Sequence, residues 1–343
     1  MTATPPLLGA LVGCGSVARY HLEAWTKVGG VRLTAVCDII PERSTAAIEG
    51  HSGANAYGDA RRMFESESLD FVEICTLADS HRPLVELAAR HGVNVLCQKP
   101  AANDRGDLVA MIDACDSAGV RLMFHENWRF RPWNRALRSE IEAGTIGRPI
   151  RLRIAHRDTR ALRSEGFGGQ PTLATAPRLI LMDMGCHLID TSRYLLGEIK
   201  AVNAVTGRFG VGHPGEDLAT LSVCFESGAL GLLDMTWCAS PALARPEWAL
   251  NETVVEGTAG ALSLQADGSL RLVGIDGRAE RRPVTLPSDD EVYVNAFVAA
   301  QAHFIEGLRS QFAHETNGPD TLKTMDVVWA AYRSAEEGRT VLL

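Results

Sequence analysis

Over the first third of the chain, short apolar runs alternate with longer amphipathic stretches. The runs at 7–13 (LLGALVG), 31–38 (VRLTAVCD), 70–76 (DFVEICT), 93–98 (VNVLCQ) and 120–126 (VRLMFHE) predict strands. The stretches at 16–28, 41–50, 59–66, 81–91 and 104–118 predict helices, with Gly92 and Gly119 as stop signals. Such alternation implies βαβ units on a doubly wound parallel sheet, joined by right-handed crossovers. After about residue 128 the pattern changes. A helix at 132–143 and a strand at 149–157 lead into 159–177, which contains Gly166, Gly168, Gly169, Pro171 and Pro177 and reads as a long loop. A helix at 181–196 follows. Strand-like segments at 199–208, 217–225, 229–237, 250–256, 261–265 and 269–273 predict an antiparallel sheet, and helices at 291–310 and 320–337 close the chain. The expected division is 1–128 and 129–343.

The first strand runs into Gly13-Cys14-Gly15-Ser16-Val17-Ala18, a GxGxxA sequence that also opens a predicted helix. In that setting the first Gly permits the turn and the second lets backbone approach a pyrophosphate. The small third residue allows close packing of helix on strand, and the helix N-terminus presents N–H groups to phosphate. Asp38 ends the second strand, where a carboxylate can accept from ribose hydroxyls and repel a 2′-phosphate. NAD is therefore expected over NADP, although Arg43 stands close enough in sequence to meet a phosphate. The bland reading is a structural glycine turn with Asp38 as a cap.

Composition narrows the class. The 343 residues carry 34 Lys+Arg against 42 Asp+Glu, a formal net charge of -8, which argues against a general nucleic-acid binder. Hydrophobic residues make up 46%, the range of folded soluble domains, and no apolar run reaches the length of a membrane span. No positively charged leader precedes the first apolar run, so a signal peptide is not expected. The 8 cysteines form no CxxC pair, which suits a reducing cytoplasm without disulfides. Charge is uneven: residues 1–128 carry -5, residues 129–180 carry +7 from 11 arginines and 4 acids, and residues 181–343 carry -10. HxxxH, HExxH and clustered Cys/His spacings are missing, so a catalytic metal is not expected.

Four further segments, taken with the glycine loop, resemble the Gfo/Idh/MocA oxidoreductases. They are Thr76-Leu77-Ala78-Asp79-Ser80-His81 (family TPxxxH), Gln98-Lys99-Pro100 (EKP), Asn127-Trp128-Arg129-Phe130-Arg131-Pro132 (NxRFxP) and Asp183-Met184-Gly185-Cys186-His187-Leu188-Ile189-Asp190 (DxGxHxxD). The resemblance implies an N-terminal Rossmann domain and a C-terminal α/β domain on a large, mainly antiparallel open sheet. It further implies a cleft between them and a homodimer or homotetramer formed through that sheet. It implies hydride transfer between NAD(P) and a sugar, cyclic polyol or related alcohol, and the CQKP and HENWRF segments resemble those of bacterial sugar dehydrogenases. Carried over residue by residue, it places Thr76, His81, Gln98 and Lys99 with the cofactor. Lys99, Asp183 and His187 become the catalytic set, and Asn127, Arg129, Arg157 and Asp183 candidate substrate contacts. Two positions depart from the pattern. Gln98 replaces the family Glu and cannot lend Lys99 a negative charge, and Leu77 replaces a common Pro.

Alcohol oxidation requires a hydride to leave for nicotinamide and a proton to leave for a base. Asp183 and His187 stand at i and i+4, one helical face, so the carboxylate can orient the imidazole or bind a hydroxyl. In the family reading His187 accepts the proton and Lys99 polarises the oxygen. Blander readings stay beside these. His81 is a helix-start residue lining the cofactor groove or a surface histidine, Asp190 faces elsewhere or pairs locally with Arg193, His125 is structural, and Trp128 and Trp133 pack. Most of the arginine block reads as junction or interface, with Arg157, Arg160 and Arg163 as cleft candidates. Two other functions remain open: a glycosidase-like enzyme with a recycled cofactor, and a non-catalytic dinucleotide-binding regulator.

Overall fold

A computed structural model describes residues 5–51, 53–163, 167, 170–241, 243 and 248–343. Gly166, Gly168 and Gly169 of the expected loop lie outside them. The chain divides into two compact units, Met1–Asn127 with Val294–Lys323 and Trp128–Tyr293 with Thr324–Leu343. Residues 294–323 thus group with the first unit, a return that a single break after residue 128 does not describe.

The first unit runs β1 (Leu7–Val12), α1 (Ala18–Lys27), β2 (Val31–Cys37), α2 (Pro41–Ala47), β3 (Asn55–Tyr57), α3 (Ala60–Ser66), β4 (Phe71–Ile74), α4 (His81–Arg90), β5 (Asn94–Cys97), α5 (Arg105–Ala118) and β6 (Leu122–Phe124). Six parallel strands take the order β3-β2-β1-β4-β5-β6. This is the doubly wound order in which ligands sit at the carboxyl ends of the strands where the winding reverses, here between β1 and β4. Ala10, Leu11, Phe71, Val72, Ile74, Val95 and Leu96 are fully buried, as strands covered on both faces require. β3 was not legible: three mostly exposed residues at a sheet edge leave little pattern.

The second unit begins with α6 (Pro132–Glu142), β7 (Pro149–Arg157), α7 (Cys186–Leu196), β8 (Ile199–Gly207), β9 (Leu218–Phe225) and β10 (Leu230–Thr236). It continues through β11 (Glu252–Gly257), β12 (Gly260–Leu264), β13 (Leu270–Gly274) and β14 (Ala279–Arg282). Two long helices, α8 (Val292–Ser310) and α9 (Gly318–Glu337), and a final β15 (Val341–Leu342) end the chain. The nine-stranded sheet has the order β14-β13-β12-β11-β7-β10-β9-β8-β15. It is antiparallel except where β10 pairs with β7 in parallel. Along β7 the buried Leu152, Ile154 and His156 alternate with the exposed Arg151 and Arg153 and half-buried Arg157, so His156 and Arg157 point to opposite faces. α7 packs on β7 and β10. Within the expected loop, Arg160–Leu162 and Pro171–Thr175 form short 3-10 turns.

Candidate active site

In the first unit the glycine loop lies at the carboxyl end of β1. Gly13 has φ +95°, and a Cβ there would come within 2.7 Å of Thr76 Cγ2 and 2.8 Å of the Cys75 carbonyl carbon, so only glycine fits. At Gly15 a Cβ would meet no atom within 4 Å. Gly15 and Ser16 are exposed, Val17 is half-buried, and α1 starts at Ala18 with Val17 as an N-cap that makes no side-chain bond. Exposed backbone over an uncapped helix N-terminus fits a pyrophosphate. Asp38 is 7% exposed and both its oxygens accept backbone bonds, Oδ2 from Cys14 N–H (2.7 Å) and Oδ1 from Ile40 N–H (2.8 Å). The carboxylate therefore braces the loop at the end of β2. Arg43 is exposed on α2.

The carboxyl ends of β4 and β5 adjoin this loop. Thr76 accepts at Oγ1 from Ser80 (2.8 Å) and turns its methyl toward Gly13. His81 differs from both expectations: it is fully buried, with Nδ1 3.1 Å from the Ala101 carbonyl and Nε2 3.1 Å from that of Thr76. It clips the loops after β4 and β5 together, and burial lowers its pKa although those carbonyls oppose the shift. Lys99 follows β5 and is half-buried, and its backbone N–H donates to Gln98 Oε1 (2.6 Å). Gln98 is buried and donates to His21 Nε2 (2.7 Å), and His21 Nδ1 donates to Glu73 Oε1 (2.7 Å). Glu73 is fully buried; its Oε2 accepts from Trp25 Nε1 (2.6 Å) and Gln301 Nε2 (3.1 Å). Burial pushes the Glu73 carboxyl up, but the imidazoles of His21 and His125 and the donated hydrogen bonds outweigh it, and the net shift is downward. His21, Glu73 and His125 offer three donor atoms within 4.8 Å of one another, near enough for a metal ion. The hydrogen bonds to Glu73 satisfy that carboxylate without one.

In the second unit Asp183 and His187 lie where the helix begins. Leu181–Gly185 is a π-turn and α7 starts at Cys186, so the expected α-helical spacing gives way to a wider turn between the two residues. Such turns recur at functional sites. Glu216 Oε1 anchors the segment, accepting from Leu179 N–H (3.0 Å), Leu181 N–H (3.1 Å) and the Tyr332 hydroxyl (2.7 Å). Asp183 is half-buried. His187 is 4% exposed and its ring stacks on Trp128 with centroids 4.4 Å apart and planes 4° from parallel. The Arg131 guanidinium lies 4.2 Å from the same indole centroid. Trp128 is buried as expected, but it also fixes the plane of the His187 ring.

The arginines depart most from expectation. Arg129, 5% exposed, forks onto Asp190: Nε donates to Oδ2 at 2.9 Å and Nη2 to Oδ1. Asp190 therefore does not pair with Arg193, which bonds Glu198 (2.9 Å) and Thr324 (2.7 Å). Arg157 turns onto the open sheet face and pairs with Asp234. Arg160 holds Asp158 (2.7 Å) and lies over Trp237, and Arg163 donates to Thr159 (2.8 Å). Asn127 is 6% exposed at the end of the first unit. His156 lies on the buried face of β7 with Leu152 and Ile154, and no local motif marks it. Its ring lies 5.8 Å from Trp128, Nδ1 faces Asn251 Oδ1 (3.0 Å), and Nε2 is buried without a hydrogen-bond partner among the described residues. Burial pushes its pKa down to about 4. Its signal was present: a histidine in phase with the apolar half of an alternating strand.

A doubly wound sheet with this glycine loop, brace and basic residue defines a dinucleotide-dependent oxidoreductase. The family models agree, matching an oxidoreductase family NAD-binding Rossmann fold over residues 8–126 and the GFO/IDH/MocA C-terminal domain over residues 134–263. The chain is 40% identical to D-apiose dehydrogenase of Paraburkholderia graminis over 340 residues, 98% of this chain and 89% of the relative. It is 27% identical to myo-inositol 2-dehydrogenase of Thermotoga maritima over 342 residues, covering 97% of each. An Agrobacterium radiobacter oxidoreductase, crystallised with NAD+, L-tartaric acid and magnesium, superposes with a TM-score of 0.91 at 34% identity, covering 98% of both chains. The chain belongs to the GFO/IDH/MocA family of oxidoreductases, is a dehydrogenase, and has NAD as its cofactor. Among the described residues, no helix is long and apolar enough to cross a membrane.

Proposed function

We propose that this enzyme oxidises one secondary hydroxyl of a free sugar or cyclic polyol, with D-apiose and myo-inositol the first substrates to try. The observation that carries this reading is local to the first unit. Lys99, Thr76 and the Gly13–Gly15 loop share the carboxyl edge of one parallel sheet, which puts a half-buried lysine two strands from the dinucleotide-binding loop. NAD held at the Gly13–Gly15 loop would supply the hydride acceptor. Lys99 holds the substrate oxygen and stabilises the charge that grows on it as its proton leaves. His187 takes that proton, its ring plane fixed by Trp128, and Asp183 binds the hydroxyl against it. Imidazoles as a class titrate near neutral pH, which suits them to exchange protons in either direction. The enzyme works in a reducing cytoplasm, consistent with 8 free cysteines, and pairs through the open face of its large sheet, where Val205 and Leu230 are exposed.

Lys99→Ala and His187→Ala are each expected to lower kcat by about 10²–10⁴-fold, the usual contribution of a positioned acid or base. NAD affinity, measured by calorimetry, should stay within a few-fold. Full turnover in both variants would remove the catalytic assignment.

A further inference from the structure

The buried chain beneath Lys99 has only one consistent hydrogen-bond sense. The Lys99 backbone N–H can only donate, so the Gln98 atom 2.6 Å away is its oxygen. The other end of that amide is then the NH2 group, which must donate to His21 Nε2 at 2.7 Å. His21 Nε2 is therefore the lone-pair nitrogen, and the ring proton sits on Nδ1, 2.7 Å from Glu73 Oε1. Trp25 and Gln301 anchor Glu73 from its other oxygen. Side chains from α1, β4 and α8 thus decide how the amide that receives Lys99 is turned. His21 and Glu73 are fully exposed to no solvent, at 0% each, so water cannot replace a missing partner.

We propose that Glu73, His21 and Gln98 form an orienting relay that fixes the backbone at Lys99, making His21 and Glu73 positioning residues for its amine. The inference rests on the proposed role of Lys99 only for its catalytic consequence. The relay also accounts for an amide at 98. A carboxylate there would take hydrogen bonds from both the Lys99 N–H and His21 Nε2, which requires His21 to carry two ring protons between two buried acids. His125 also faces His21, with its ring centroid 4.5 Å away, and Phe297 stands against the same imidazole at 4.9 Å.

The protein has only four lysines, at 27, 99, 200 and 323, so reductive methylation with ¹³C gives a spectrum in which Lys99 is assigned by its loss in Lys99→Arg. The experiment compares that signal, in protein without added cofactor, across three variants. His21→Asn keeps a donor near the Nδ1 position but removes the acceptor for Gln98. The relay predicts that its Lys99 signal moves to the position of the exposed lysines. His21→Gln offers an acceptor near the Nε2 position and should leave the signal close to that of the unaltered protein. Leu22→Ala, a core truncation at the next residue of the same helix, should lower the melting temperature without moving the signal. A Lys99 signal unmoved in His21→Asn, or moved equally by Leu22→Ala, would overturn the relay. If His21→Asn does not fold, Gln98→Leu removes the acceptor of the Lys99 N–H directly and must produce the same displacement. The readout needs neither cofactor nor turnover. A fully active Lys99→Ala enzyme would overturn the catalytic role and leave the relay standing, whereas an unmoved signal would do the reverse. Kinetically, His21→Asn should cost about 10²-fold in kcat, the scale of a misplaced catalytic group, with KM for NAD nearly unchanged.

Discussion

Each unit buries a carboxylate close to a candidate catalytic residue, and the two are satisfied by different chemistry. Asp190 receives the planar fork of Arg129, one side chain occupying both oxygens, and Thr324 stands 3.4 Å from Oδ1. Glu73 receives an imidazole, an indole and an amide, each from a separate stretch of chain. A charged fork ties two backbone segments together, here the Trp128–Phe130 turn and α7, and ends there. A chain of single donors passes its sense from one group to the next, here as far as the Lys99 N–H. The second unit therefore locks the helix that bears His187, while the first aims one residue.

The comparison can be broken most severely at Asp190. Removing it leaves Arg129 charged and buried, so Asp190→Ala should cost about 3–5 kcal/mol in denaturant unfolding. A loss under about 1 kcal/mol would mean that the pair does not hold α7. The next effect is acid-linked. The fold holds His156 neutral down to about pH 4, whereas the unfolded chain takes up that proton near 6.5. Between those values the unfolded state binds more protons, so stability rises with pH and is lost on acidification, by up to about 3 kcal/mol. Melting temperatures followed from pH 7 to pH 4 should show this slope, and His156→Leu should flatten it; an unchanged slope would contradict the burial account. Trp25→Phe removes one donor from Glu73 and should cost about 1–3 kcal/mol, with Gln301 still bound to the same oxygen. The smallest effect is expected at Arg157. Its partly exposed pair with Asp234 is worth about 1 kcal/mol or less, and Arg157→Ala should leave kcat/KM unchanged. A large rise in KM would return Arg157 to the substrate.

The alternation of apolar runs made the parallel sheet legible because each buried strand is a short unbroken hydrophobic word. β14 and β15 escaped for the reason β3 did: short edge strands present too few buried positions to set a period. The glycine loop, Asp38, Lys99 and His187 were readable as local motifs. The partners of those residues were not, because they are distant in sequence. Asp190 has Arg193 three positions away, yet its partner is Arg129, 61 residues before it. Glu73 was visible as an acid inside an otherwise apolar strand, an inconsistency that required a buried donor nearby. The donors His21, Trp25 and Gln301 come from two helices, and nothing local names them. Arg157 drew notice by its charge, whereas His156, one position back along the strand, is the residue on the buried face.

The central claim is net hydride transfer to NAD from a sugar or polyol, and NADH absorbance with a panel of free aldoses and cyclic polyols tests it most directly. NADH should accumulate in proportion to substrate consumed with at least one member of the panel, and at least about 10²-fold more slowly in Lys99→Ala. Substrate consumption without NADH, or tight NAD binding with no turnover on any member, would contradict it.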